Sequence, residues 1–163
     1  MTYLLDSNVF IQSKNLHYGM DFCPAFWDWL LEKNQLKEVF SIEKVGDEID
    51  AGDDDLSRWA AKRGSLFFLK PDQNVVMALS QVSKWATSQR YEPSAVNLFF
   101  QVADYYLVAH ALAHNFVVVT QEITSTSTKK IKIPDACHGL GIKCMTPYTM
   151  LRHERARFVL GHK

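Results

Sequence analysis

The sequence predicts an α/β fold in three layers, α/β/α, with helices on both faces of a central, mostly parallel sheet of about four to five strands. Near the N-terminus, an apolar run at 3–5 leads into an Asp-Ser-Asn turn and a second apolar run. This order is typical of a strand, a tight turn and a capped helix. Later, a helical segment at 104–114 precedes a β-branched strand at 117–120, which completes an α/β unit.

Composition predicts one globular domain spanning residues 1–163. Of the 163 residues, 47% are hydrophobic and 22% are charged, which is enough to bury one core. No apolar run approaches the roughly 20 residues needed to cross a bilayer, and no signal segment precedes the first strand. Three cysteines without a CxxC pair are typical of reduced thiols, so we expect a cytoplasmic protein without membrane association.

The formal net charge is zero, because 18 Lys and Arg side chains balance 18 Asp and Glu side chains. The molecule as a whole therefore has no strong field that attracts nucleic acid or anionic lipid. Any site for a polyanion must be local.

Periodicity and capping residues predict the elements of the first half of the chain. They indicate helices at 9–14, 24–34, 42–50 and 56–63 and a short strand at 38–41. Ser41 is expected to cap the helix at 42–50, and the acidic run at 53–55 is interpreted as a solvated helix cap rather than a cation site. The apolar segment at 22–31 is expected either to pack in the core or to serve a homodimer.

The second half contains the clearest helix, which starts at Pro71 and Asp72 and repeats apolar residues at helical spacing. The apolar run at 66–69 is compatible with helix or strand. Beyond it we predict a short helix at 94–101, an exposed polar loop at 121–132, a strand at 142–145, and a helix opened by Thr146. The basic tail at 152–163 is expected to form a final helical face.

Four carboxylates fall at the end of a strand or on the flank of a helix: Asp6, Glu48, Asp104 and Glu122. Helical phase places Glu48 beside the apolar face of its helix and points Asp47 nearly the opposite way. Asp104 shares an apolar helix face, where a carboxylate is costly unless paired or bound to a cation. The alternatives are that Asp6 and Asp104 are simple N-caps.

Because the carboxyl ends of parallel strands meet at one edge of a sheet, these acids can come together. An oxygen-only cluster suits a hard cation, Mg²⁺ or Mn²⁺. A zinc site at His110 and His114 is disfavoured, since both are expected on an exposed helix surface and no third ligand is evident. The chain also lacks a nucleophile elbow, a P-loop and a dinucleotide fingerprint.

Four segments, taken in order, resemble the motifs of PIN-domain ribonucleases, including VapC-type toxins. They are Leu-Leu-Asp-Ser-Asn at 4–8, the acidic flank at Glu48, Ala-Asp-Tyr-Tyr-Leu-Val-Ala at 103–109, and Val-Val-Val-Thr-Gln-Glu at 117–122. Residues 141–147 are similar to the last strand of that fold. Two departures matter: Glu122 stands where an aspartate is usual, and a longer loop follows, so Asp135 is an alternative fourth acid. Asp47 is likewise an alternative to Glu48.

The resemblance implies a PIN-like, metal-dependent endoribonuclease, in which Asp6, Glu48, Asp104 and Glu122 hold Mg²⁺ or Mn²⁺. Asn8 and Thr120 would orient these carboxylates, although capping and strand-end hydrogen bonds explain both equally well. The RNA contacts are expected from local basic side chains, and the candidates are Lys129, Lys130, Lys132 and Arg152.

The same resemblance implies the toxin of a toxin–antitoxin pair, with a cognate antitoxin as its partner. The alternatives are a PIN-like module that binds RNA or protein with little or no catalysis, and a structure-specific DNA nuclease. The two tyrosines at 105 and 106 could stack a base, but core packing is the preferred interpretation.

Overall fold

A computed structural model describes residues 1–161, so Lys163 of the predicted basic tail lies outside the described residues. The central sheet has five strands in the order β3-β2-β1-β4-β5, and each pair of neighbours is parallel. The predicted three-layer α/β/α architecture is confirmed. The strands are β1 (Tyr3–Leu5), β2 (Val39–Ile42), β3 (Phe68–Leu69), β4 (Val117–Val119) and β5 (Cys144–Met145).

The helices agree with the predicted segments except in the C-terminal third, where one helix is an addition and the described part of the tail lacks the predicted helical face. A π-helical turn, Ser13–His17, extends the first helix, and a 3₁₀ turn, Gly64–Leu66, precedes β3. The helices are α1 (Ser7–Gln12), α2 (Pro24–Gln35), α3 (Glu43–Asp50), α4 (Asp55–Ala61), α5 (Gln73–Ser88), α6 (Pro93–Gln101), α7 (Ala103–His114), α8 (Ile133–Leu140) and α9 (Pro147–His153).

Strand β1 is the centre of the fold. Its three residues are fully buried, and it pairs with β2 on one side and β4 on the other. The chain builds the sheet outward from β1 in both directions, so the strand order reverses there. In open parallel sheets this reversal leaves a crevice beyond the carboxyl ends of the strands. Asp6, the residue after β1, emerges into that crevice.

The predicted acidic cap is confirmed at Asp54. Its carboxylate accepts a hydrogen bond from the backbone N–H of Ser57 at 2.9 Å, and the Ser57 hydroxyl accepts from the backbone N–H of Asp54 at 2.7 Å. This reciprocal pair is a capping box, which satisfies N–H groups at the start of α4. Thr146 caps α9 as predicted.

The capping role predicted for Ser41 is wrong. Ser41 lies inside β2, which runs one residue further than predicted, and Ile42 occupies the N-cap position of α3. The buried hydroxyl of Ser41 donates to the carbonyl of Leu5 at 2.6 Å. The serine thus ties the ends of the two neighbouring strands together, directly below the turn that carries Asp6.

His110 does not lie on an exposed surface, as its spacing had suggested. It is 1% exposed, because α7 packs against α5, α6 and α8 as well as against β2 and β4. Burial lowers the pKa of His110 to about 4, with a smaller contribution from His114. Nε2 of His114 lies 2.7 Å from a carboxylate oxygen of Asp72, the residue that caps α5.

Two further corrections concern the C-terminal third. Helix α8 was not predicted, and α9 ends at His153, so the rest of the described tail has no helical face. The segment at 22–31 packs mainly in the core, since Phe26, Trp27 and Leu30 are buried, although Phe22 is 68% exposed. Across residues 1–161, no helix combines the length and apolar character that a bilayer crossing requires.

Candidate acidic site

Asp6 caps a helix and also lines a pocket, so its position as an N-cap does not remove its carboxylate from that pocket. One carboxylate oxygen accepts from the backbone N–H of Ser7 at 2.7 Å at the start of α1. The other accepts from the hydroxyl of Thr120 at 2.8 Å. Asp6 is only 3% exposed, and its position is fixed by β1 below it and by Thr120 beside it.

The four predicted acids line one cavity of about 280 Å³, at the carboxyl edge of the sheet. They reach it from the end of β1, from α3, from α7 and from the segment after β4. The apolar part of the lining comes mostly from α6 and was not predicted. The lining residues are Asp6, Ser7, Asn8, Glu48, Ala95, Leu98, Phe99, Val102, Asp104, Glu122, Lys130 and Ile131.

Glu48 and Asp104 are brought together by the contact between α3 and α7. A carboxylate oxygen of Glu48 accepts from the backbone N–H of Ala103 at 3.4 Å, in the first turn of the helix that carries Asp104. Val102 holds the N-cap position of α7, so the alternative role of Asp104 as N-cap is wrong. Asp47 lines a separate cavity on the other side of α3, in agreement with its helical phase.

Glu122 rather than Asp135 lines the pocket. A carboxylate oxygen of Glu122 accepts from the backbone N–H of Ile133 at 2.8 Å, and it thereby satisfies a donor at the start of α8. Asp135 instead accepts from the backbone N–H of Ser125 at 3.0 Å. The acid at 122 therefore joins the pocket to α8, whereas the acid at 135 holds the loop before that helix.

Asn8 and Thr120 form a hydrogen-bonded group behind Asp6. The Asn8 amide donates to the Thr120 hydroxyl at 3.3 Å, and the Asn8 carbonyl oxygen accepts from the backbone N–H of Gln121 at 3.0 Å. The Thr120 hydroxyl also accepts from the backbone N–H of Glu122 at 3.0 Å. These bonds connect α1 to the end of β4 and orient the carboxylate of Asp6.

Two of the acids have strongly raised pKa values. Burial raises the pKa of Asp6 to about 6; the Thr120 hydrogen bond opposes this rise, and the charge of Glu122 adds to it. The pKa of Asp104 is raised to about 7, and burial is the largest cause. The charges of Asp6 and Glu122 also raise this pKa, and Lys130 lowers it. The protein's own cations therefore compensate only part of the negative charge in the pocket.

The substitution Thr120→Val is expected to raise the pKa of Asp6 above its value of about 6, because the lost hydroxyl hydrogen bond stabilises the ionised carboxylate. Thr120→Ser keeps the hydroxyl and should leave that pKa nearly unchanged. Carboxyl ¹³C NMR titration measures both values directly. An equal pKa in wild type and Thr120→Val would contradict the orienting role of Thr120.

The donor set fits a hard divalent cation in type and charge. Four carboxylates face one cavity, and unneutralised repulsion between buried acids is what a cation would relieve. The distances between the acids in this conformation are longer than a metal site requires. Within the described chain, no three His, Cys, Asp or Glu side chains are grouped as they would be around a metal ion. Asp6, Glu48 and Glu122 each accept a hydrogen bond from a backbone N–H group instead.

The predicted basic residues separate into two regions. Lys130 lines the acidic pocket, and Lys129 is exposed beside it on the mostly exposed loop. Lys132 precedes α8 on the same loop. Arg152 lies elsewhere, in a cleft lined partly by Tyr148.

The predicted packing role of the two tyrosines agrees with their contacts. Tyr105 donates its hydroxyl to the carbonyl of Leu79 at 2.8 Å. Tyr106 lies under the ammonium group of Lys44, 4.7 Å from the ring centroid. Both rings are therefore engaged by neighbouring helices.

Comparison with known proteins supports the architecture. A family model described as a domain of unknown function, DUF4411, matches residues 3–158. The chain is similar to the structure of FitAB bound to the IR36 DNA fragment, with a TM-score of 0.56 and 18% identity over 99% of each chain. It is also similar to the crystal structure of FitAcB from Neisseria gonorrhoeae, with a TM-score of 0.54 and 18% identity, over 90% of this chain and 99% of that chain. No protein of curated function matches the sequence. The fold is PIN-like, as predicted.

Proposed function

We propose that this chain, which belongs to the DUF4411 family of unknown function, is a metal-dependent endoribonuclease. The observation that carries the proposal is the meeting of Asp6, Glu48, Asp104 and Glu122 in one cavity at the carboxyl edge of the sheet. Two of these acids have pKa values raised to about 6 and about 7. Such perturbed acids in a cleft are typical of functional sites.

Asp6, Glu48 and Asp104 are the proposed ligands of Mg²⁺ or Mn²⁺, and Glu122 completes this site or a second one. When bound, such a cation lowers the pKa of a coordinated water and stabilises the charge that develops on a phosphodiester. The chain's own contribution is orientation and charge. Thr120 holds the carboxylate of Asp6 in one direction, and Lys130 offers an ammonium group to a phosphate at the mouth of the pocket.

RNA is the proposed substrate, in single-stranded or looped form. An unpaired strand can bend toward a cavity of about 280 Å³, whereas a paired helix is rigid. The exposed loop that carries Lys129, Lys130 and Lys132 would attract the RNA backbone locally, in a molecule without net charge.

One observation favours a second candidate, a PIN-like module that binds RNA or protein without cleaving it. Among residues 1–161 no three potential ligands are grouped for a metal ion, and three of the four acids already accept backbone hydrogen bonds. In that case the acids would serve as fixed negative charges, and the carboxylates would not need to converge on one ion.

A role as the toxin of a cytoplasmic toxin–antitoxin pair follows from the resemblance to VapC-type toxins. The proposed partner is an antitoxin protein that covers the acidic pocket. A second copy of the chain is proposed to pack against the exposed Phe22. The chain is purified from its native host and the proteins that co-purify with it are identified by mass spectrometry. A small protein bound in stoichiometric amount is the expected result.

The activity is tested by incubating the wild-type chain with labelled single-stranded RNA, duplex RNA, single-stranded DNA and branched DNA. Each substrate is combined with Mg²⁺, Mn²⁺ or EDTA. Internal cleavage of single-stranded RNA with either metal, and none in EDTA, is the expected result. Preferential cleavage of branched DNA favours a structure-specific DNA nuclease. RNA binding without cleavage under every metal supports the binding module instead.

A further inference from the structure

A second cleft lies beside the π-helical turn Ser13–His17, away from the acidic pocket. Its cavity is about 180 Å³, smaller than the roughly 300–1,000 Å³ of sites that enclose a drug-sized ligand, so it suits one ring system. Aromatic side chains and one arginine dominate its walls. The lining residues are Tyr18, Tyr148, Leu151, Arg152, Ala156 and Phe158.

The aromatic walls of this cleft are held in place by their neighbours. Tyr18 stacks on the buried ring of Phe26, with centroids 4.5 Å apart and planes 13° apart, and Phe158 meets Tyr18 edge-on at 5.8 Å. Tyr148 packs edge-on against the exposed His17 at 5.5 Å, and its hydroxyl is hydrogen-bonded to Nε2 of His17 at 2.8 Å. The rings are thus ordered before any ligand arrives, which reduces the entropy lost on binding.

The cleft also carries positive charge. Arg152 is exposed, and it lies four residues after Tyr148 on α9, so the guanidinium and the phenol ring share one side of the helix. An aromatic platform next to an arginine is the combination that binds single-stranded nucleic acid, because the ring stacks on a base while the arginine holds the backbone.

A chain of hydrogen bonds connects the cleft to the acidic pocket. The side-chain amide of Gln121 donates to the Tyr148 hydroxyl at 3.4 Å, and the backbone N–H of Gln121 donates to Asn8 at 3.0 Å. Asn8 in turn donates to Thr120, which donates to Asp6. Gln121 therefore lies between the two sites, and a strand passing over it would contact both.

We propose that this aromatic cleft, lined by Tyr18, Tyr148, Arg152 and Phe158 and bordered by His17, is a nucleobase subsite for single-stranded RNA. The subsite deepens the proposed function and rests on it. A base stacks against the ring of Tyr148, which His17 holds in place, while Arg152 binds an adjacent phosphate. The rest of the strand passes Gln121 into the acidic pocket, so the cleft sets which nucleotide lies a fixed distance from the cleaved bond.

The test measures binding in EDTA, where cleavage is not required. Fluorescence anisotropy compares a short single-stranded RNA with an abasic strand of the same length and charge. We expect wild type to prefer the base-bearing strand about tenfold, and Tyr148→Ala and His17→Ala to lose most of that preference. Tyr148→Phe keeps the ring and should stay within about twofold of wild type. His17 is exposed, so its variant remains informative if Tyr148→Ala fails to fold.

The charge component has its own variant and control. Arg152→Gln should weaken both strands and reduce the slope of log Kd against log salt by about one. Arg58→Gln is the matched control, because it removes an exposed guanidinium on α4 that pairs with Asp55. Equal affinity of wild type for base-bearing and abasic strands would overturn the subsite, and so would binding of a peptide or protein at the cleft to the exclusion of RNA.

The two proposals fail separately. If the stacking variants lose the preference for bases while no metal supports cleavage, the subsite stands and the nuclease proposal falls. If wild type cleaves RNA but these variants keep the full preference for bases, the nuclease proposal stands and the subsite falls.

Discussion

Asp6→Asn is expected to lower the rate of RNA cleavage by at least about 100-fold, because it removes the carboxylate that we propose as a ligand of the metal ion. The amide is nearly isosteric with the carboxylate and can still accept from the N–H of Ser7, so the cap of α1 persists. Single-turnover cleavage of a labelled RNA with saturating Mn²⁺ measures the change. Retention of the wild-type rate would contradict the mechanism.

Neighbouring acids on α3 provide a matched control for this effect. Glu48→Gln alters a side chain in the acidic pocket, whereas Asp47→Asn alters the preceding residue, which lines a different cavity. Glu48→Gln should slow cleavage by about tenfold or more, and Asp47→Asn should leave it within about twofold. An equal loss in both variants would mean that the general charge of α3, rather than the position of one carboxylate, supports cleavage.

The acids could be located from sequence because each lies at a position that local periodicity defines. Asp6 ends a buried strand, Glu48 follows from the phase of an eight-residue helix, and Asp104 lies in the first turn of an apolar helix. Glu122 was located by its place two residues after the strand predicted at 117–120, but nothing in the polar segment that follows excluded Asp135 as the fourth acid. The backbone N–H of Ile133, to which Glu122 binds, lies 11 residues away.

Features that depend on distant neighbours were not predictable in the same way. His110 is buried because α7 is covered on several sides, and periodicity identifies only the most apolar face of a helix. Helix α8 spans only two turns, opens with a proline and contains a glycine, so its local signal is weak. The aromatic cleft joins the π-helical turn to α9, two segments more than 100 residues apart in the chain.

Metal-free stability should change in the opposite direction to activity. In EDTA at about pH 8, Asp6→Asn is expected to increase the free energy of unfolding by about 1–3 kcal/mol. Burial and the neighbouring carboxylates raise the pKa of Asp6 from 3.8 to about 6, so the folded state holds this proton more tightly than the unfolded chain does. The stability that the protonated carboxyl of Asp6 contributes to the folded state is complete below about pH 4 and is lost as pH rises through about 6.

Urea denaturation of wild type and Asp6→Asn between about pH 4 and pH 8 tests this sign, and the two stabilities should converge at the acid end. Addition of Mg²⁺ or Mn²⁺ should then favour wild type, by about 2.7 kcal/mol at 100 times the dissociation constant, and have little effect on the variant. Asp47→Asn should follow wild type in both conditions, because Asp47 lies outside the pocket. A variant less stable than wild type in EDTA at about pH 8 would show that the ionised carboxylate of Asp6 stabilises the fold. We expect the opposite: the variant is the more stable protein in EDTA, and the metal ion stabilises wild type alone.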